Sequence, residues 1–217
     1  MRYPTALLFD LDGTLVDSAP GICASARAAC IGLGYAEPTD DVVRPTIGLS
    51  IDHVARAATA VDLDDVALAA WINRYRLEFN RVALPATTTF PGVSEELARW
   101  RAAGRRLAVV TSKRTDIGLA VLAQVGLTEL FDVIVGGDQA PRGKPAPDLA
   151  LYALAKLEVR AAEAAMIGDT AHDVGMARAA DLPAYAVTYG AHDRATLVAA
   201  GPTAIVDTFR ELAQHLG

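Results

Sequence analysis

The sequence contains little cysteine and no long apolar run. Its two cysteines, Cys23 and Cys30, lie seven positions apart in a helical pattern. That spacing separates their Cα atoms by about 10 Å, whereas a disulfide needs roughly 4.4–6.8 Å, so we expect two buried thiols. No stretch approaches the roughly 18 uninterrupted apolar residues of a membrane helix, and the first residues pass into a strand without a signal-peptide segment. These absences predict a cytoplasmic protein with no membrane partner.

Basic residues are also fewer than acidic ones. The 217 residues include 20 lysines and arginines against 26 acidic residues, which gives a net charge of −6. Because the arginines are scattered, this balance argues against a nucleic-acid partner. Hydrophobic residues make up 52% of the chain, enough for one core and a smaller unit. We expect a globular monomer or homodimer.

Strand and helix patterns alternate along the chain, with one interruption. A short apolar run at 5–11 predicts a first strand, and only helical patterns follow until about residue 86. Strands and helices then alternate to the end, which is typical of a parallel sheet with helices on both faces. The predicted fold is a Rossmann-like three-layer α/β core, residues 1–16 and 89–217, with an inserted all-helical cap domain, residues 17–88. Later strands are expected at 106–111, 132–135, 164–167, 184–187 and 204–206.

The first strand leads into the segment FDLDGTLVDS, residues 9–18. Residues two apart on a strand point to the same face, so Asp10 and Asp12 can converge on one reacting group. Two carboxylates at a buried strand end need a cation. Gly13 lets the backbone turn sharply and bring its N–H groups close to an anion. The segment therefore has the groups that a metal-assisted phosphoryl-transfer site requires.

Three later segments place polar residues at expected strand ends, where ligands bind in parallel sheets. Thr111, Ser112 and Lys113 follow the second strand of the core, and Lys144 lies in the loop after the third. Asp169 ends the next strand, with Asp173 one helical turn later. These segments supply carboxylates, a hydroxyl and an ammonium to one rim of the sheet.

Together, the segments FDLDGTLVDS, VVTSK, GKPAPD and GDTAHDV resemble the four motifs of the haloacid dehalogenase-like superfamily of phosphatases, in the usual order and spacing. The resemblance covers nearly the whole chain and favours the branch with a helical cap, above all the phosphoglycolate phosphatases. It implies an Mg²⁺-dependent phosphoric monoester hydrolase that works through an aspartyl-phosphate. The implied partner is a small phosphorylated metabolite, with 2-phosphoglycolate as the candidate.

The resemblance also implies a role for each matched residue. Asp10 is the expected nucleophile, and Asp12 is the expected acid for the leaving group and then the base for water. Mg²⁺, which prefers oxygen ligands, is expected at Asp10, Asp169 and the backbone carbonyl of Asp12. Asp173 is expected to be an outer ligand that fixes the coordinating waters. The residues expected to hold or neutralise the phosphoryl group are Thr111, Lys144, Gly13 and Ser112 through their N–H groups, and Lys113.

The insertion carries several arginines but no lysine. Without a lysine, the Schiff-base chemistry of the related phosphonoacetaldehyde hydrolases lacks its nucleophile, and the acid Asp12 disfavours a dehalogenase, which needs none. An arginine could bind a substrate carboxylate bidentately, and Arg44 is the candidate for that role. His53 and His192 are candidates for the cavity entrance, whereas His172 is expected to point outward.

Two alternatives stay open. A β-phosphoglucomutase-like enzyme would use the same groups to move a phosphoryl group within a sugar phosphate. A receiver-like, non-enzymatic module also clusters aspartates, a threonine and a lysine, but the chain length and the N-terminal position of Asp10 count against it.

Two positions depart from the family pattern: Ser112 stands where asparagine is frequent, and Asp181 ends a helix where glycine is usual.

Overall fold

The computed structural model describes residues 3–217. The chain begins with strand β1, Ala6–Phe9, and a short strand β2, Val16–Asp17. A helical insert follows, and strand β3, Thr88–Thr89, then pairs antiparallel with β2. The two short strands therefore form the connection through which the chain leaves and re-enters the core. The helices of the insert are α1 Ala19–Gly32, α2 Asp40–Val43, α3 Ile51–Thr59, α4 Asp65–Glu78 and α5 Leu84–Ala86, with a π-helical turn at Phe79–Ala83.

The insert has its own aromatic packing. Trp71 is fully buried on α4, and its ring stacks on Tyr75 at a centroid distance of 5.3 Å. Tyr75 stacks in turn on Phe79 at 6.0 Å. The indole N–H of Trp71 donates to the Cys30 sulfur on α1. Both cysteines are buried and free, so the prediction of two thiols is confirmed.

After β3, helices and strands alternate to the C-terminus. The elements are α6 Val93–Ala102, β4 Arg106–Val110, α7 Thr115–Gln124, β5 Val133–Val135, α8 Asp148–Leu157, β6 Ala164–Gly168, α9 Ala171–Ala179, β7 Ala184–Val187, α10 Arg194–Ala200, β8 Ala204–Val206 and α11 Leu212–Leu216. The six core strands form one parallel sheet in the order β5-β4-β1-β6-β7-β8. Because β1 lies between β4 and β6, the carboxyl ends of these three strands are neighbours.

Both faces of the sheet are covered, as the α/β prediction requires. Successive residues of β1 alternate between two apolar clusters: Leu7 and Phe9 belong to one, Ala6 and Leu8 to the other, and all four are fully buried. The Phe9 ring packs at 5.9 Å from Trp100, between ring centroids. A strand buried on both faces reads as a continuous apolar run, which is why this one was visible in the sequence. The predicted three-layer fold with a helical insertion is confirmed.

The structure differs from the predicted elements at several points. The first strand ends at Phe9, so Asp10 and Asp12 lie in the loop beyond it. The pair β2–β3 was not predicted, because each strand is only two residues long and the partners are distant in sequence. The helix α10 was also missed. Asp181 has a φ of 56°, the left-handed conformation that explains why glycine is usual there. The division into a catalytic core and a cap domain stays a prediction.

Candidate active site

The nucleophile candidate Asp10 is held by the backbone at the end of β1. Its N–H donates to the carbonyl oxygen of Ile167 on the neighbouring strand, at 2.9 Å. The side chain is buried, and its Oδ1 accepts a hydrogen bond from Lys144 Nζ at 2.6 Å. The other oxygen, Oδ2, is buried and has no hydrogen-bond partner among residues 3–217. A buried carboxylate oxygen with no donor indicates a place for a cation or a reacting atom.

Three carboxylates meet at this point. One oxygen each of Asp10, Asp169 and Asp173 lies within 4.8 Å of the others, and all three residues are buried. Burial raises the pKa of Asp10 to about 7; Lys144 opposes the rise, and the charges of Asp173 and Asp12 add to it. Burial, together with the charges of Asp10 and Asp173, also raises the pKa of Asp169 well above its ordinary range. The raised pKa values show that one ammonium is too little positive charge for three buried carboxyl groups, and their oxygen donors fit Mg²⁺.

Asp169 is oriented by donors from two separate segments. Thr14 Oγ1 donates to its Oδ1 at 2.9 Å, and the Ala191 N–H donates to its Oδ2 at 2.7 Å. Tyr189 donates its hydroxyl hydrogen to the carbonyl oxygen of Thr14, at 2.9 Å, and so holds the residue that holds Asp169. Partners of this kind fix the direction in which a metal-binding carboxylate points.

Asp173 is bound on both of its oxygens. Its Oδ1 pairs with Lys144 Nζ at 2.6 Å, and its Oδ2 accepts hydrogen bonds from the N–H and the hydroxyl of Thr170, which closes a capping box at the start of α9. Burial by itself would lower the pKa of Lys144, but the charges of Asp10 and Asp173 outweigh it and hold that pKa above its usual range. Asp173 therefore contacts Lys144 and the helix start, and its role as an outer metal ligand stays a prediction.

Asp12 points away from the carboxylate cluster. Its Oδ1 accepts a hydrogen bond from Ser18 Oγ, and its Oδ2 lies 3.0 Å from Lys113 Nζ. Lys113 also lies over the ring of Phe79 from the insert, 4.8 Å from the centroid, in a cation–π contact. The Asp12 side chain is thus directed to the cavity beneath the insert, where an acid for a leaving group would be needed.

Of the two predicted backbone phosphate donors, the N–H groups of Gly13 and Ser112, that of Gly13 has another partner. The N–H of Gly13 donates to the Val16 carbonyl oxygen at 2.9 Å, so it is not free for a phosphoryl oxygen. Gly13 is required for another reason: its φ is +82°, and a Cβ there would lie 2.1 Å from Asp169 Oδ2. The Ser112 hydroxyl donates to the Gly48 carbonyl oxygen of the insert, at 2.6 Å. Thr111, by contrast, is buried at the end of β4 and lines the cavity, as predicted for a phosphate-binding hydroxyl.

A cavity of about 300 Å³ lies between the sheet edge and the insert. The core contributes mainly polar groups, and the insert contributes a mostly apolar wall whose charged residues are Asp52 and Arg76 among those described. The wall was not predicted, because periodicity shows that a helix has two faces but not which one covers the sheet. The lining includes Asp10, Asp12, Thr111 and Lys113 from the core and Ile72, Tyr75, Arg76 and Phe79 from the insert.

Arg44, the predicted carboxylate-binding residue, is not among the described residues that line this cavity. It begins a 3₁₀ turn, Arg44–Thr46, and this loop of the insert reaches the cavity at Ile47, just after the turn. None of the histidines lines it either, within the described part of the chain. His53 contacts Ser50, and His172 is half-buried with its ring centroid 5.3 Å from that of His192, so it does not point outward as expected.

Comparison with known proteins agrees with this geometry. The model of the haloacid dehalogenase-like hydrolase family matches residues 7–187. The protein named "Probable phosphatase IndB" from Dickeya dadantii is 38% identical over 208 residues, covering 95% of this chain and 90% of that protein. A phosphoglycolate phosphatase from Cupriavidus necator is 36% identical over 214 residues, covering 96% and 91%. The crystal structure of "a predicted phosphoglycolate phosphatase" from Haemophilus somnus covers all of both chains with a TM-score of 0.92 and 25% identity.

The chain therefore belongs to the haloacid dehalogenase-like hydrolases. Within that family it is a phosphoric monoester hydrolase of the phosphoglycolate phosphatase-like type, as the four motifs predicted. The non-enzymatic, receiver-like alternative is not supported. No helix among residues 3–217 is long and apolar enough to cross a membrane.

Proposed function

We propose that the protein hydrolyses a small phosphate monoester, with 2-phosphoglycolate as the leading candidate, in an Mg²⁺-dependent reaction that passes through an aspartyl-phosphate on Asp10. The observation that carries the proposal is the partnerless, buried Oδ2 of Asp10 beside two further carboxylates and one lysine. The names of the relatives support the choice of substrate.

In the first step, Asp10 Oδ2 forms a bond to phosphorus while the ester oxygen leaves. Lys144 holds the other oxygen at 2.6 Å and fixes the direction of attack. The departing alkoxide takes a proton from Asp12. In the second step, a water attacks phosphorus, gives its proton to Asp12 and releases phosphate from Asp10. Splitting the reaction in this way replaces one slow step by two easier ones.

Asp12 is in contact with Lys113 at 3.0 Å, although the first step needs its proton. Both residues line the cavity together with Thr111. A phosphate dianion there competes with Asp12 for the ammonium of Lys113, because it carries more charge and more acceptor oxygens. Substrate binding would thus draw Lys113 away from Asp12 and place it on the phosphoryl group.

Asp10, Asp169 and the backbone carbonyl of Asp12 would hold Mg²⁺, which neutralises charge on the phosphoryl oxygens when bound. The residues around these ligands are already ordered: Thr14 and Ala191 hold Asp169, and Asp173 holds Lys144. The apolar wall of the insert keeps water from the reacting atoms. A cavity of about 300 Å³ favours a compact substrate.

The test is release of phosphate from a panel of phosphorylated metabolites with Mg²⁺, including 2-phosphoglycolate, pyrophosphate and sugar phosphates. Asp10→Asn should abolish turnover. Asp17→Asn, an exposed aspartate of the same segment, is the matched control and should keep it. Acid quenching during turnover, followed by peptide mass spectrometry, should locate a phosphoryl adduct on Asp10. Full activity of Asp10→Asn would refute the assignment of Asp10 as the nucleophile. Isomerisation of a sugar phosphate without phosphate release would indicate a mutase.

A further inference from the structure

Arg76 differs from the other arginines of the insert in its surroundings. Four of them are neutralised within the insert: Arg27 by Asp40, Arg56 by Asp62, and Arg74 and Arg81 by Glu78. Among residues 3–217, Arg76 forms no ion pair and no side-chain hydrogen bond. Arg44 also forms none, but only Arg76 lines the cavity.

The other charges that line the cavity are already matched or exposed. Lys113 is paired with Asp12, and Arg114 lies 3.1 Å from Asp116. Asp138 accepts hydrogen bonds from the N–H and hydroxyl of Thr115. Asp52 is exposed to solvent, which weakens its field at the cavity. Within the described residues, the half-buried guanidinium of Arg76 is the cavity cation that has no anion.

The position of Arg76 on its helix directs it toward the cavity. Ile72, Arg76 and Phe79 are four and three residues apart, so they share one face of α4 and its continuation, and all three line the cavity. That face is otherwise apolar or aromatic. A small number of polar groups in a mostly apolar wall is the usual means by which a small site fixes the orientation of its ligand. An arginine there loses water when substrate fills the cavity, and only an anion can replace that water fully.

We propose that Arg76 binds a second anionic group of the substrate, a carboxylate, while the phosphate is held by the core. The substrate class is then a short phosphate monoester with a carboxylate a few atoms from the ester oxygen. This inference rests on the proposed phosphatase function and assigns to Arg76 the role that the sequence suggested for Arg44. Guanidinium and carboxylate match in a two-pronged geometry that lysine cannot reproduce.

The experiment compares 2-phosphoglycolate with ethyl phosphate, which has the same two-carbon skeleton and no carboxylate. For wild-type protein with Mg²⁺, kcat/KM should be higher for 2-phosphoglycolate. Arg76→Gln should lower the ratio of the two kcat/KM values by about 10- to 100-fold, the range expected for a lost hydrogen-bonded charge pair. The ratio for Arg76→Lys should lie between those of wild type and Arg76→Gln. Arg44→Gln should keep the ratio within about twofold of the wild-type value.

Binding gives a second readout that does not need turnover. In an Asp10→Asn background with Mg²⁺, calorimetry should show 2-phosphoglycolate binding that weakens by the same factor when Arg76→Gln is added. If Arg76→Gln lowered kcat/KM equally for both esters, and so left their ratio unchanged, the role of Arg76 would be overturned. A wild-type preference for ethyl phosphate would overturn it as well. Absence of phosphate release from every ester would instead refute the phosphatase proposal, and the binding comparison would still decide on Arg76.

Discussion

The hydroxyl of Ser112, at the end of β4, donates a hydrogen bond to the carbonyl oxygen of Gly48 in the insert, at 2.6 Å. The same loop of the insert is packed tightly on the core, because a Cβ on Gly48 would lie 3.1 Å from Thr170 Cγ2. Ser112 therefore links the sheet edge at the end of β4 to the insert that covers it.

Ser112→Ala should loosen this closure. A lost hydrogen bond is worth about 0.5–1.5 kcal/mol, so we expect KM for the substrate to rise about 2- to 10-fold, with a smaller change in kcat. Steady-state kinetics on the best substrate measure this. Ser112→Thr keeps the donor and should be close to wild type, and Ser94→Ala, at an exposed helix position, is the control. If Ser112→Thr raised KM as much as Ser112→Ala, the loss of the hydrogen bond would not be the cause.

Lys144→Met should destabilise the protein as well as inactivate it. The variant leaves Asp10 and Asp173 buried without their shared cation, and breaking a buried ion pair costs about 3–5 kcal/mol. Urea unfolding at about pH 8, where carboxylates are ionised, measures the loss. Lys156→Met, at an exposed helix position, should change the free energy of unfolding by less than about 0.5 kcal/mol. A Lys144→Met protein as stable as the control would contradict the buried network.

Gly190→Ala should disturb Asp169, a proposed Mg²⁺ ligand, directly. A Cβ at position 190 would lie 2.2 Å from Asp169 Oδ2, so Asp169 must move. A displacement of about 1 Å at a reacting centre can cost about 100-fold in rate, and we expect a loss of that order in kcat with a higher Mg²⁺ requirement. Gly143→Ala is the matched control, because no atom lies within 4 Å of its Cβ. Normal Mg²⁺ dependence of Gly190→Ala would show that Asp169 is not confined as the structure indicates.

The sequence was sufficient for the groups that depend on strand ends. Asp10, Thr111 and Asp169 follow buried apolar runs, and parallel strands bring their carboxyl ends to one edge, so their meeting could be predicted without coordinates. Lys144 was predictable only from its motif, because its loop has no periodicity.

What escaped prediction depends on contacts between distant segments. The N–H of Gly13 is taken by Val16 within the turn before β2, and that strand exists only because Thr89 pairs with Val16 from the far end of the insert. Choosing Arg76 over Arg44 required knowing which face of α4 covers the sheet, and helical periodicity leaves that orientation open. The partner of Ser112 is a backbone carbonyl, which no side-chain pattern reveals.

The stability of the metal-free protein should fall as the pH rises toward neutrality. Burial raises the pKa of Asp10 from 3.8 to about 7, and that of Asp169 is raised as well, so the folded protein holds protons that the unfolded chain has released. The contribution of Asp10 is fully present below about pH 4 and is lost as the pH rises through about 7, and that of Asp169 is lost as the pH rises through its own raised pKa. His172, whose pKa is lowered by burial, acts in the opposite direction, so Asp10→Asn is the necessary reference.

Urea unfolding with a chelator from about pH 5 to about pH 8 should show that wild type loses stability relative to this variant. Adding Mg²⁺ should stabilise wild type most at the upper end of that range, because the ion binds ionised carboxylates. Parallel pH profiles for the two proteins without metal would show that Asp10 does not retain its proton in the folded state.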